Sequence, residues 1–145
     1  MSTLSAIQTA QTVLGIGKRW TSPVQLIDAI KEGFPLKAFE RICEAIAPDN
    51  AAFKYLLVPK TSLHRLYEKE HALLSRQQSE QIARLARVWA RSLDVWGNAA
   101  DARRFLNEPH ALLDGRSPIA VTLDADIGVT MVEDILGRLQ YGSAA

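Results

Sequence analysis

A chain of 145 residues with 48% apolar side chains is long enough to bury a core, as one compact domain or two small ones sharing it. The formal net charge of +1 excludes a global attraction to nucleic acid, membranes or acidic substrates, so any basic surface has to be local. Cys43 is the single cysteine, which excludes an internal disulfide and a multi-cysteine metal site and fits a reducing compartment.

The first residues, Met1 to Ala6, lack a basic stretch followed by an apolar one. No window approaches the roughly 18 apolar residues of a membrane span. The expectation is a cytoplasmic chain with no membrane partner. Apolar spacing is helical almost throughout and alternating β-branched runs are nearly absent, so the fold is expected to be mostly α.

Residues 1–20 are mildly apolar, end in Gly15, Gly17, Lys18 and Arg19, and read as an adaptable arm or a short helix. Thr21 or Ser22 caps a helix with Pro23 at its first position and Val24, Ile27 and Ile30 on one face, stopped by Gly33. Lys37 to Ala47 carries Phe39, Ile42, Cys43 and Ile46 at helical spacing. Pro48, Asp49 and Asn50 make a turn into a helix over 51–57, Val58-Pro59 breaks it, and Thr61 opens another over about 60–69.

Two short helices joined by a tight turn have the spacing of a helix-turn-helix. The second carries Lys60, Thr61, Ser62, His64 and Arg65, types that meet phosphates and base edges. Residues 54–76 hold five basic side chains (Lys54, Lys60, Arg65, Lys69, Arg76) against two acidic ones, a local excess of +3. A pair of short helices with a few lysines is also common in small α proteins, so the pattern alone leaves DNA binding open.

Residues 79–96 are the strongest periodic segment, with Ile82, Leu85, Ala86, Trp89, Leu93 and Trp96 on one face. Both tryptophans therefore read as core. Arg84, Arg87 and Arg91 fall opposite and read as a solvated face. After Gly97-Asn98 a short helix from Asp101 to Leu106 stops before Pro109, and a loop-rich module follows, punctuated by Gly115, Ser117 and Pro118. Asp126-Ile127-Gly128 reads as a turn, and Val132, Ile135, Leu136 and Leu139 describe a last helix. Residues 111–145 hold two arginines against five acids, a local charge of −3. The small-residue tail after Tyr141 suits a partner's cleft or an ordinary frayed end.

Catalytic signatures are missing: no Cys-His pair in a recognisable motif, no His-x-x-x-His, no phosphate-cradling glycine loop and no nucleophile elbow. Cys43 reads as a small buried hydrophobe, and Asp124 with Asp126 is too sparse for a calcium loop. No enzyme activity, metal or cofactor is expected.

The segment Ala102-x-x-Phe105-Leu106-x-x-Pro109-x-x-x-Leu113-x-Gly115-x-x-Pro118, then Gly128-x-x-x-Val132-x-x-x-Leu136-x-Arg138-x-x-Tyr141-Gly142, resembles the C-terminal toxin-binding domain of the MbcA/ParS/Xre antitoxins. Upstream, Leu74-x-x-x-x-Ser79 with Arg84-Leu85-Ala86 resembles the family's link into its long helix, and Pro59-Lys60-Thr61 with Arg65 resembles its Xre-type recognition helix. The resemblance covers residues 24–142. His64-Arg65 stands where the family commonly has an arginine pair, and Phe105 where tryptophan is common.

The resemblance implies an N-terminal Xre-like helix-turn-helix bundle followed by a small α-rich toxin-binding module, in the antitoxin of a RES-Xre pair. The implied organisation is an N-terminal arm (1–20), a helix-turn-helix DNA-binding region (21–76), and the long helix with the toxin-binding domain (77–145). The implied partners are an NAD-depleting RES-domain toxin, held inactive when the C-terminal end blocks its active site, operator DNA at the protein's own promoter, and a second copy of the chain. The implied DNA-binding residues are Lys54, Lys60, Thr61, Ser62, His64 and Arg65, and the implied toxin-binding residues are Arg138, Tyr141, Gly142, Ser143, Ala144 and Ala145. Two alternatives stay open: a helix-turn-helix regulator whose C-terminal module serves only dimerisation, and an interaction adaptor that does not bind DNA.

Overall fold

The computed structural model describes residues 3–17 and 19–142. Among these, regular structure is helical apart from one isolated bridge between Pro35 and Leu73. In chain order the helices are α1 (Thr3–Leu14), α2 (Pro23–Glu32), α3 (Leu36–Ile46), α4 (Lys54–Leu57), α5 (Lys60–Tyr67), α6 (Arg76–Trp96), α7 (Ala99–Asn107), α8 (Pro118–Asp124) and α9 (Asp126–Gln140). The chain forms two compact units, Met1–Ala86 and Arg87–Ala145. The boundary between these units lies inside α6, which runs without a glycine or proline and buries side chains on both sides of residue 86.

In the first unit, α3 is the buried element: Phe39, Ile42 and Ile46 recur at three- and four-residue spacing and are all but inaccessible. Residues 1–20, read as an arm or a short helix, carry α1, which packs against α3 and α2. The return loop after α1 is tied by Gln11, whose buried carboxamide accepts from Trp20 N at 2.8 Å and donates to Ile16 O at 3.2 Å. Helix α2 starts as expected at Pro23, with the Gln25 carboxamide oxygen accepting from Ser22 N at 3.3 Å.

A clasp joins the start of α3 to the segment before α6. Leu74 N donates to Phe34 O at 2.8 Å, and Phe34 N donates to the fully buried Ser79 hydroxyl at 2.8 Å. Gly33 makes this approach possible: its φ is +102°, and a Cβ there would meet the Leu74 carbonyl oxygen at 2.2 Å. The clasp brackets α4 and α5 from both ends. Replacing Ser79 by alanine strands the buried Phe34 N–H, and the expected cost is about 1–3 kcal/mol, read as a lowered urea midpoint. A midpoint equal to that of the parent would show that the clasp contributes nothing to stability.

In the second unit, α8 packs closely on α9 and α7 on α8. The loop-rich reading of this region missed α8. Ser117 and Pro118, read as punctuation, are its start: the Ser117 hydroxyl accepts from Ala120 N at 3.1 Å and Pro118 occupies the first turn, where a missing N–H costs nothing. Asp126-Ile127-Gly128 is likewise the first turn of α9 and not a free-standing turn.

The arginine face of α6 is not simply solvated. Arg87 makes a bidentate pair with Glu133 at 2.8 and 3.1 Å, and Arg91 bonds Asp94 at 3.2 Å and also Gln140, so two arginines anchor α9. Trp89 is buried beneath the Arg103 guanidinium, whereas Trp96, expected in the core, is 37% exposed. It sits on the last turn before Gly97 and packs on Phe105, with ring centroids 6.0 Å apart.

Candidate functional site

The candidate residues fall on two surfaces. The first is built by α4 and α5, joined through Val58 and Pro59. Leu57, Val58 and Leu63 are buried, which fixes α5 to its unit through one side and leaves the opposite side in solvent. That outer side presents Thr61 and Arg65, four residues apart, flanked by Ser62 on one edge and by Lys60 and His64 on the other; all five are exposed. Pro59 caps α5 without a side-chain acceptor, and the first intrahelical donor is Leu63 N, at 2.9 Å from Pro59 O. The amides of Lys60, Thr61 and Ser62 are therefore directed out of the helix end, the arrangement with which a helix start receives an anion.

Neighbouring groups shape this surface. His64 Nε2 lies 3.2 Å from Glu68 Oε1 one turn on, which orients the imidazole. The Tyr67 hydroxyl bonds Glu40 of α3, and partial burial together with that carboxylate raises the phenol above its usual range. Lys54 differs from the α5 set: it is half-buried on α4, with Nζ 5.2 Å from the centroid of the Tyr55 ring.

The second surface belongs to the second unit. Arg138 lies exposed on the last full turn of α9, Tyr141 ends the helix 80% exposed, and Gly142 follows at φ +75°. Ser143, Ala144 and Ala145, assigned with them from the sequence, lie outside the described residues. Beside this end is a cavity of about 240 Å³ lined by Trp96, Asp101, Arg104, Phe105, Glu108, Pro109, His110 and Leu139. Trp96, Phe105 and His110 form an aromatic row, the second pair edge-on with centroids 6.1 Å apart.

Sequence reading did not single out this cavity, nor the exposed Ile127 and Met131 of α9. The available signal for α9 was a helix carrying more apolar residues than one buried face accommodates. In α2 the same excess is visible: the helix buries none of its residues, and Val24 and Ile27 are 59% and 49% exposed.

Cys43 is partly buried on α3, and desolvation pushes its thiol up to about 12, against a smaller lowering by Lys54. A thiol so far above neutrality is protonated and a poor nucleophile. Among the described residues no cluster of three or more His, Cys, Asp or Glu side chains is placed to hold a metal, and no helix is long and apolar enough to cross a membrane.

Two family models match the chain in tandem. Residues 25–87 match the antitoxin Xre-like helix-turn-helix domain, a span that contains α4, α5 and the clasp around them. Residues 92–142 match the antitoxin Xre/MbcA/ParS C-terminal toxin-binding domain, a span that contains α7, α8, α9 and the aromatic cavity. No curated protein matches the chain. With a helix-turn-helix DNA-binding domain followed by a toxin-binding domain, the chain belongs to the Xre/MbcA/ParS antitoxin family.

Proposed function

We propose that this antitoxin binds and neutralises a RES-domain toxin that depletes NAD, by inserting its C-terminal end into the toxin's active site, and that it represses its own promoter through α5. The observation that carries the inhibitory half is the end of α9: Tyr141 stands 80% exposed directly after the helix, next to an exposed Arg138. An aromatic ring that its own fold leaves uncovered, on a helix whose far side is firmly packed, can enter a cleft without disturbing the unit that carries it. The DNA-binding half rests on Lys60, Thr61, Ser62, His64 and Arg65, collected on the free side of α5, with Lys54 contributing a neighbouring charge from α4. Dimerisation is supported by the exposed apolar face of α2, and two copies would present recognition helices to successive half-sites about 34 Å apart. Such a regulator works in the cytoplasm.

The test is NAD consumption by the partner toxin, purified with the full chain or with a chain ending at Gln140, which keeps α9 whole. The full chain is expected to suppress turnover, and the shortened chain to co-purify with the toxin yet leave turnover at least about tenfold higher, the equivalent of roughly 1.4 kcal/mol of lost inhibitory binding. Equal suppression by both would remove the tail from the mechanism. Failure of both to bind or suppress would favour the regulator whose C-terminal module serves only dimerisation.

A further inference from the structure

Two glycines of α9 stand in opposite circumstances. A Cβ on Gly128 would lie 1.8 Å from the Val121 carbonyl oxygen, so the α8–α9 crossing requires that glycine. A Cβ on Gly137 would meet nothing within 4 Å among the described residues. Glycine is among the worst residues for a helix interior, and at position 137 packing among the described residues makes no use of its small size. Close approach of something outside the chain would make use of it.

The side of α9 next to Gly137 is unusual in the same way. Val129, Val132, Ile135 and Leu136 face the unit's core. On the opposite side Ile127, Met131, Asp134, Arg138 and Tyr141 follow one another at four- and three-residue steps as a solvent-facing stripe. Ile127 is 68%, Met131 37% and Tyr141 80% exposed. Asp134 and Arg138 are exposed and make no ion pair among the described residues. Thr130 and Gly137, seven residues apart, form a small-residue edge along the stripe.

We infer that the solvent-facing stripe of α9, Ile127 to Tyr141, is the surface on which the toxin docks, with toxin backbone closing against the helix at Gly137. This deepens the toxin reading above and rests on it. The toxin is the occupant because the stripe lies inside the segment that matches the toxin-binding domain and runs directly into the C-terminal end. Its chemistry specifies the facing surface: an apolar patch over Ile127 and Met131, a cation opposite Asp134 and an anion opposite Arg138. Docking along the whole helix would aim Tyr141 into the active site, so affinity is set along α9 and inhibition at its end.

The experiment measures melting temperature and toxin affinity for Gly137→Ala and Gly137→Gln in the full chain, with Ile127→Lys as a variant of the stripe itself. Both position-137 variants add helix propensity, and their Cβ meets no described neighbour, so melting temperature is expected to rise by a few degrees. Toxin affinity is expected to fall, least for alanine and by about tenfold or more for glutamine, whose side chain fills the approach; Ile127→Lys is expected to fall comparably. A more stable protein that binds its toxin less well is an outcome that damage to the fold cannot produce. Unchanged toxin affinity in the glutamine variant would overturn the inference, as would a lowered melting temperature, which would mean that the fold itself needs Gly137. If the parent chain fails to bind the toxin, the toxin reading fails, and the docking surface with it.

Discussion

Replacing Gly128 by alanine is expected to lower the melting temperature of the toxin-binding unit by about 10–20 °C and to abolish toxin binding. The methyl group would sit 1.8 Å from the Val121 carbonyl oxygen and 2.4 Å from the carbonyl carbon, both backbone atoms of α8 that cannot rotate away. Helix α8 must then lift from α9, opening the contact among Val121, Val129 and Val132, all buried. Overpacking of this kind costs about 3 kcal/mol, a large share of the stability of a small domain. Circular dichroism melts of the variant and its parent test the expectation. An unchanged melt would mean that α8 and α9 cross loosely enough to accept a methyl group at position 128. Operator binding should persist, since the residues proposed to contact DNA belong to the other unit.

Removing both Lys60 and Arg65 should abolish operator binding at ordinary ionic strength while leaving toxin neutralisation intact. Each side chain is exposed on α5 and contributes one cation, so the slope of log affinity against log salt should shrink by roughly 1.8 if both meet phosphate. If Arg65 instead reads a guanine edge, its single alanine variant should lose about 1–3 kcal/mol against the preferred site and little against unrelated DNA. Titrations of operator and scrambled duplexes at several salt concentrations separate the two roles. An unchanged slope in the double variant would exclude α5 as the phosphate-contacting helix.

The helix-turn-helix was legible because its determinants are local. Val58-Pro59 stops one helix and starts another through backbone constraints within a few residues, and Leu63 alone decides which side of α5 is buried. Helix α8 was missed although Ser117-Pro118 is a start signal, because serine and proline begin turns as readily as helices and the helix is only seven residues long. Trp96 was assigned to the core on the periodicity of α6, but periodicity gives a direction and not a partner. Trp96 is the last residue of the helix, so its ring is covered on one side by Phe105 and stays open on the other. The roles of Arg87 and Arg91 were hidden for the same reason: their partners, Glu133 and Gln140, are distant in sequence.

What the sequence determined by itself is the helical class, the position of the helix-turn-helix, the exposed cations of α5 and the order of the two domains, all of which follow from side-chain periodicity and from proline and capping residues acting over one or two turns. Tertiary structure alone decided which side of α9 is spare. Val129, Val132, Ile135 and Leu136 on one side and Ile127, Met131 and Tyr141 on the other are all good core residues. The choice between them is made by α8 crossing at Gly128, where a carbonyl oxygen takes the place of a side chain. A helix apolar on two sides has no preferred face until a neighbour packs against one of them, and the face left over is the one available to a partner.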